Sequence, residues 1–138
     1  MNRENYAAAK KLIAASKRIL VSGHLSPDGD SLGSMLALAR LLRNAGYEAY
    51  ATADLNALGK PGFLEGVKDL IPVRKLKRQK RFDLFIAVDC ASFERMPPEV
   101  RPVAEKLPKI CIDHHVTNDG SFADVSIVDS KASSTGEI

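Results

Sequence analysis

Apolar and polar positions along this chain alternate between two periods. Residues 3–17 carry Tyr6, Ala9, Leu12, Ile13 and Ser16 near helical spacing, with Lys10, Lys11 and Lys17 between them, and this predicts an amphipathic helix. Residues 18–24 form a short apolar run that ends at His24 and predict a buried strand. Pro27 and Gly29 mark residues 25–30 as a loop. Ser31 is the expected N-cap of a second helix, whose apolar face is Leu32, Met35, Leu36, Ala39, Leu42 and Ala45 and which Asn44 and Gly46 end. Residues 48–53 predict a second strand. Residues 54–81, broken by Gly59, Pro61, Gly62 and Pro72, predict a loop with one short helix over 63–70. Residues 82–89 are the clearest strand of the chain. A helix over 98–106 follows, then strands over 109–115 and 123–128, and a further helix begins at Ala132 just before the chain stops.

Strands alternate with helices, and the strands are near-continuous apolar runs. Such strands belong to parallel sheets covered on both faces. The expected fold class is therefore α/β: a doubly wound, Rossmann-like domain with a mainly parallel five-stranded sheet and helices on both faces. The 138 residues fit one domain, and 45% hydrophobic residues is ordinary for a globular protein. No apolar run approaches the ~20 residues of a membrane span. Residues 1–11 lack the basic-then-apolar layout of a signal peptide, so no membrane partner is expected and the cytoplasm is the expected location.

The two cysteines, Cys90 and Cys111, both lie in apolar runs and read as reduced, buried thiols rather than a disulfide framework. The net charge of +3 is local. Residues 74–81 hold six of the twenty basic residues, leaving fourteen elsewhere against seventeen acidic ones. Such a run can track an RNA backbone or serve as a solvated connector before a strand, where Lys and Arg deter edge pairing. The absence of interleaved aromatic rings favours the connector.

The three histidines, His24, His114 and His115, all fall at the C-terminal end of a predicted strand beside carboxylates. In an open parallel sheet, ligands bind beyond that edge. The first strand delivers His24, with Asp28 and Asp30 on the following loop. The strand ending at residue 89 delivers Asp89, and the next delivers Asp113, His114 and His115. Seven imidazoles and carboxylates gathered at one edge call for a cation. Imidazole with carboxylate oxygen suits an ion such as Mn²⁺, with Mg²⁺ the alternative. Cys90 follows Asp89 directly and points to the opposite face of a strand, outside this set. Seven donors exceed what one octahedral ion takes, which favours two metals about 3.5–4 Å apart, as in many phosphatases and nucleases. Taken singly, each segment has a plain structural explanation as an Asp-rich turn, a helix cap or a surface loop; their convergence does not.

Three runs carry a family resemblance. Residues 22–34 (Ser-Gly-His-Leu-Ser-Pro-Asp-Gly-Asp-Ser-Leu-Gly-Ser), 88–92 (Val-Asp-Cys-Ala-Ser) and 112–118 (Ile-Asp-His-His-Val-Thr-Asn) resemble the first three signature motifs of the DHH phosphoesterase superfamily. Residues 132–137 (Ala-Ser-Ser-Thr-Gly-Glu) resemble a segment typical of its nanoRNase and 3′-phosphoadenosine 5′-phosphate phosphatase branch. The resemblance implies that His24, Asp28 and Asp89 hold a first Mn²⁺ and that Asp30, Asp89 and His114 hold a second, with Asp89 bridging. It further implies that His115 faces the scissile phosphate, that Asp113 supports His114, and that Ser31 and Asn118 neighbour the phosphate. Catalytic roles would thus fall to His115, Asp113 and Asp89. The implied activity is two-metal hydrolysis of short oligoribonucleotides or of 3′-phosphoadenosine 5′-phosphate, with short RNA or a 3′-phosphonucleotide as partner and a homodimer left open.

The family pattern continues with a fourth motif, whose Asp completes the second metal site, and with a substrate-gripping C-terminal domain. Neither occurs in these residues. Residues 1–138 are accordingly expected to be the metal-binding domain of a longer protein, poorly active alone. Inorganic pyrophosphatase shares the Asp-His-His layout, although residues 28–34 resemble the nuclease branch more. The same motifs are compatible with a RecJ-like single-strand exonuclease and, outside catalysis, with a metal- or nucleotide-binding module.

Overall fold

The structure is a computed structural model and describes residues 3–56, 63–78 and 81–138. Its strands are β1 (Arg18–Ser22), β2 (Glu48–Ala53), β3 (Ile71–Pro72), β4 (Leu84–Val88), β5 (Lys109–Asp113) and β6 (Val125–Val128). They form one six-stranded sheet in the order β3-β2-β1-β4-β5-β6, and every neighbouring pair is parallel. The chain winds outward from β1 through β2 and β3, then returns to the other side of β1 with β4. The order thus reverses between β1 and β4, and in open parallel sheets ligands bind at such a point, beyond the carboxyl ends of the strands.

The parallel α/β class agrees with the expectation; the sixth strand does not. β3 is a two-residue edge piece, too short to leave a period in the sequence, and its Pro72 is tolerated because an edge strand can forgo an N–H.

Alternating side chains divide each strand between two cores. Ile19, Val21, Leu84, Ile86, Val88 and Ile110 face helices α1 (Arg3–Ala14) and α2 (Gly29–Asn44), which contribute Ala9, Leu32, Met35, Ala39 and Leu42. Leu20, Phe85 and Ala87 face the other way, onto Leu76, Met96, Val100 and Ala104. That second face is covered by short pieces: a 3-10 stretch at Val73–Arg78, another at Phe93–Arg95, and the four-residue helix α3 (Arg101–Ala104).

The helix expected over 98–106 is cut down because Pro97, Pro98 and Pro102 lack the N–H that a helix interior needs. α3 carries Pro102 in its first turn, where that donor would be unpaired in any case. The helices expected over 63–70 and from 132 onward are likewise single 3-10 turns, Val67–Asp69 and Thr135–Glu137.

α2 starts three residues earlier than expected. Asp28, not Ser31, is its N-cap: the Asp28 carboxylate accepts the N–H of Ser31 at 2.9 Å, and Asp30 sits in the first turn, where the helix dipole favours a negative charge. No helix of the described residues is long and apolar enough to cross a membrane.

Candidate metal centre

His24 and Asp28 follow β1, Asp89 follows β4, and Asp113 closes β5 just before His114 and His115. Pairing β1 with β4 and β4 with β5 therefore brings all three segments to one edge, at the point where the strand order reverses. Asp89 is at the centre and only 1% exposed. Its backbone is left-handed at φ 54°, and its N–H bonds to the Ile112 carbonyl at 3.0 Å. A non-glycine residue held in that region marks a position the surroundings over-determine, a frequent trait of functional sites.

The two oxygens of Asp89 face different histidines. Oδ2 lies 3.7 Å from His24 Nε2, while Oδ1 lies 3.6 Å from His114 Nε2. Asp30 Oδ2 is also 3.6 Å from His114 Nε2. Both rings are tautomerically fixed from behind: His24 Nδ1 bonds to the Leu25 carbonyl at 2.9 Å and His114 Nδ1 to the Ala132 carbonyl at 3.2 Å. A carbonyl only accepts, so each Nδ1 carries the hydrogen, and in the neutral ring it is Nε2 that turns a lone pair toward the carboxylates.

Lone pairs and carboxylate oxygens at 3.6–3.7 Å are too far apart for hydrogen bonds. They suit donors that share a cation, and the backbone-oriented imidazole is the usual second layer of a metal ligand. Among the described residues, the ion-pair partners of Asp30 and Asp89 are histidines, with no Lys or Arg within reach. Ligand atoms of His24, Asp28 and Asp89 all lie within 4.8 Å of one another, and so do those of Asp89, His114 and His115. The donor set therefore fits two ions sharing Asp89.

Burial raises the pKa of Asp89; the Thr135 hydroxyl opposes this, and the charges of Asp30 and Asp28 add to it. Burial also pushes the Asp30 carboxyl up, but N–H bonds from Thr135 and Gly136, the Ser34 hydroxyl and His114 outweigh it, and the net shift is downward. His115 is raised, chiefly by its 2.7 Å bond to Asp113 and against its partial burial.

Asp113, expected to support His114, accepts that residue's backbone N–H at Oδ1, at 2.9 Å, and the same oxygen also takes the Nδ1–H of His115 at 2.7 Å. Asn118, expected beside the phosphate, is 8% exposed, and its amide donates to Asp113 Oδ2 at 2.7 Å and to the Cys90 carbonyl at 3.3 Å, behind the acidic groups. Ser31 is fully buried, its hydroxyl wedged where a Cβ on Gly23 would lie, 2.1 Å away. Asn118 faces inward because its amide ties the loop after β5 to Asp113 and to the Cys90 carbonyl, whereas the buried Ser31 hydroxyl has no hydrogen-bond partner.

Cys90 and Cys111 lie outside the donor set as expected, buried and free, with burial pushing both thiols up to about 12. The basic run leads away from the carboxyl edge: Val73–Arg78 follows the edge strand β3 and leads to the N-terminal end of β4, while Gln79 and Lys80 lie outside the described residues.

One contributor carries no signal of its own in the sequence. Thr135, 4% exposed, donates its hydroxyl to Asp89 Oδ1 at 2.9 Å and its N–H to Asp30 Oδ2 at 2.7 Å, and Gly136 N–H reaches Asp30 Oδ1 at 3.1 Å. The nearest hint is the position of Thr135 in the family-like run 132–137, which by itself assigns no role.

The fold and the site together define a doubly wound parallel α/β protein with a cluster of Asp and His side chains, a candidate cation centre, at its topological switch point. The chain belongs to the DHH family, whose N-terminal domain model matches residues 18–138. It is 35% identical over 136 residues to the bifunctional oligoribonuclease and PAP phosphatase NrnA of Thermus thermophilus, covering 94% of this chain and 37% of that protein. It is 30% identical over 132 residues to the protein of the same name from Bacillus subtilis, covering 93% of this chain and 38% of that one. The chain thus spans little more than a third of the length of these relatives. Its fold matches the crystal structure of an exopolyphosphatase-related protein from Bacteroides fragilis with a TM-score of 0.83 at 22% identity, over 99% of this chain and 42% of the other.

Proposed function

We propose that residues 1–138 are the cation-binding domain of a cytoplasmic phosphoesterase that hydrolyses short oligoribonucleotides and 3′-phosphoadenosine 5′-phosphate. The observation that carries this is the convergence of three strand ends on buried Asp89, with two histidine lone pairs turned toward it and, among the described residues, no basic side chain to balance the carboxylates. The names of the two NrnA relatives supply the substrate class.

His24, Asp28 and Asp89 would hold one ion; Asp30, Asp89 and His114 would hold the other. His115 is the weaker candidate for the second ion, because its Nδ1 hydrogen is committed to Asp113 and leaves that nitrogen without a lone pair. Mn²⁺ suits this imidazole and carboxylate set, with Mg²⁺ the alternative. Once bound, such ions supply positive charge to the phosphoryl oxygens and acidify water near neutral pH.

The chain's own residues do the rest. His115, with its Nδ1 held by Asp113 and its side chain 41% exposed, presents Nε2 to solvent and can donate a hydrogen bond to a phosphoryl oxygen or a proton to a leaving group. Asp113 stabilises the charged form of that ring, and Asn118 holds Asp113 in turn. Turnover by residues 1–138 alone is expected to be slow, because phosphoryl transfer depends on positioning the substrate as much as on charge.

The test is an assay with Mn²⁺ on a dinucleotide, on 3′-phosphoadenosine 5′-phosphate and on pyrophosphate, with Asp89→Asn as the blank, alongside melting curves with and without the ion. A Mn²⁺-dependent rise in melting temperature that Asp89→Asn abolishes, with release of nucleotide product, is expected. An unchanged melting curve at millimolar Mn²⁺ would refute the cation centre. Cleavage of pyrophosphate in place of both nucleotides would move the reading to a pyrophosphatase.

A further inference from the structure

The run 132–136 touches three of the proposed ligands and leaves two alone. The Ala132 carbonyl accepts His114 Nδ1 at 3.2 Å, the Thr135 N–H and Gly136 N–H grip the two oxygens of Asp30 at 2.7 and 3.1 Å, and the Thr135 hydroxyl reaches Asp89 at 2.9 Å. Asp30, Asp89 and His114 are the three side chains proposed for the second ion. The Asp89 oxygen that Thr135 binds is Oδ1, the one facing His114; Oδ2, facing His24, is left to the first ion. His24 and Asp28 are oriented by other means, through the Leu25 carbonyl and the Ser31 N–H.

We propose that Thr135 is a positioning residue for the second cation alone, and that the segment from Ala132 to Gly136 is the part of the chain that forms that half of the centre. The proposal rests on the reading of the site as a two-cation centre. The physical reason is the cost of disorder among three donors. Asp30 comes from a helix N-terminus, Asp89 from the end of β4 and His114 from beyond β5, so no single element fixes their mutual geometry. A buried hydroxyl, two N–H groups and one carbonyl from one short run fix all three at once. Thr135 binds no cation itself; it keeps Asp89 Oδ1 and Asp30 turned to the same point. Removing an outer partner of this kind typically costs about 10–100-fold in metal affinity.

The experiment is a Mn²⁺ titration of the 138-residue chain by calorimetry and by electron paramagnetic resonance, comparing wild type, Thr135→Val and Thr135→Ser. Valine keeps the shape and removes the hydroxyl; serine keeps the hydroxyl. Wild type is expected to take two ions, the second more weakly. Thr135→Val should weaken the second ion about 10-fold or more while the first changes little, and Thr135→Ser should restore the second. Folding is checked by the melting temperature in EDTA, and Thr135→Ala replaces the valine variant if that one does not fold.

Equal binding of both ions by a folded Thr135→Val would overturn the proposal, as would equal weakening of both or a serine variant no better than valine. A wild-type chain that takes a single Mn²⁺ also overturns it while leaving a cation centre standing. No binding at all overturns the centre and this inference together.

Discussion

Asn118 gives the sharpest test of how the centre is supported. The side chain is nearly buried, and its amide nitrogen lies 2.7 Å from Asp113 Oδ2 and 3.3 Å from the Cys90 carbonyl, while its oxygen accepts the Gly120 N–H at 2.8 Å. Asn118→Ala removes one bond to a charged acceptor, worth about 1.5–3 kcal/mol, and one bond between neutral groups, worth about 1 kcal/mol. The Gly120 N–H is partly accessible and water can replace its partner, so the net loss is about 2–4 kcal/mol. For a domain of this size that corresponds to a fall in melting temperature of about 6–16 °C.

The companion variant Asn118→Asp tests the sign. It places a second carboxylate against Asp113 in a buried setting, so the pair holds a proton above the ordinary carboxylate range. A raised folded-state pKa contributes stability at low pH that is lost as the pH rises through it. Asn118→Asp should therefore be nearest to wild type in acid and worst in mild alkali. The assay is thermal unfolding by circular dichroism in EDTA across this pH range. A shift under about 2 °C for Asn118→Ala, or a pH-independent deficit for Asn118→Asp, would refute the claim that Asn118 holds Asp113 as a charged acceptor.

Three further outcomes follow from the same geometry. Because Asp89 has its pKa raised by burial and by Asp30 and Asp28, its contribution to metal-free stability is present below the ordinary 3.8 and lost as the pH rises through the raised value; Asp89→Asn should melt higher than wild type in EDTA at pH above that window and show no Mn²⁺ shift, and a variant less stable there would contradict the cost of burying this charge beside Asp30 and Asp28. Gly23→Ala would set a Cβ 2.1 Å from the Ser31 hydroxyl and should cost about 1–3 kcal/mol by chemical denaturation; adding Ser31→Ala leaves the Val88 carbonyl oxygen at 3.3 Å as the nearest contact and should restore most of it, and a double variant no better than the single one would show that the hydroxyl is not the obstacle. Changing Lys77, Arg78 and Arg81 to Ser should leave KM for a dinucleotide nearly unchanged, since this run lies at the far end of β4; a large rise that vanishes at high salt would make it part of the substrate path.

Much of the centre was legible in the sequence for a simple reason. Near-continuous apolar strands separated by helical segments impose parallel pairing, and parallel strands put all their carboxyl ends on one edge. His24, Asp89 and Asp113 each follow or close such a strand, so their meeting could be inferred without knowing the strand order. Cys90 could be set aside by the same period of two.

Everything that depends on which groups face each other across segments came from the three-dimensional pairing alone. The switch point between β1 and β4 comes from the pairing, and the two-residue β3 leaves no periodic trace in the chain. Asp113 and Asn118 are five residues apart, and nothing in that spacing says that the amide supports the carboxylate or that the carboxylate takes the ring of His115 rather than of His114. Thr135 reaches carboxylates 46 and 105 residues away. A hydroxyl carries no charge and no periodicity, so its role exists only once α2, β4 and the end of the chain have been brought together around the same buried point.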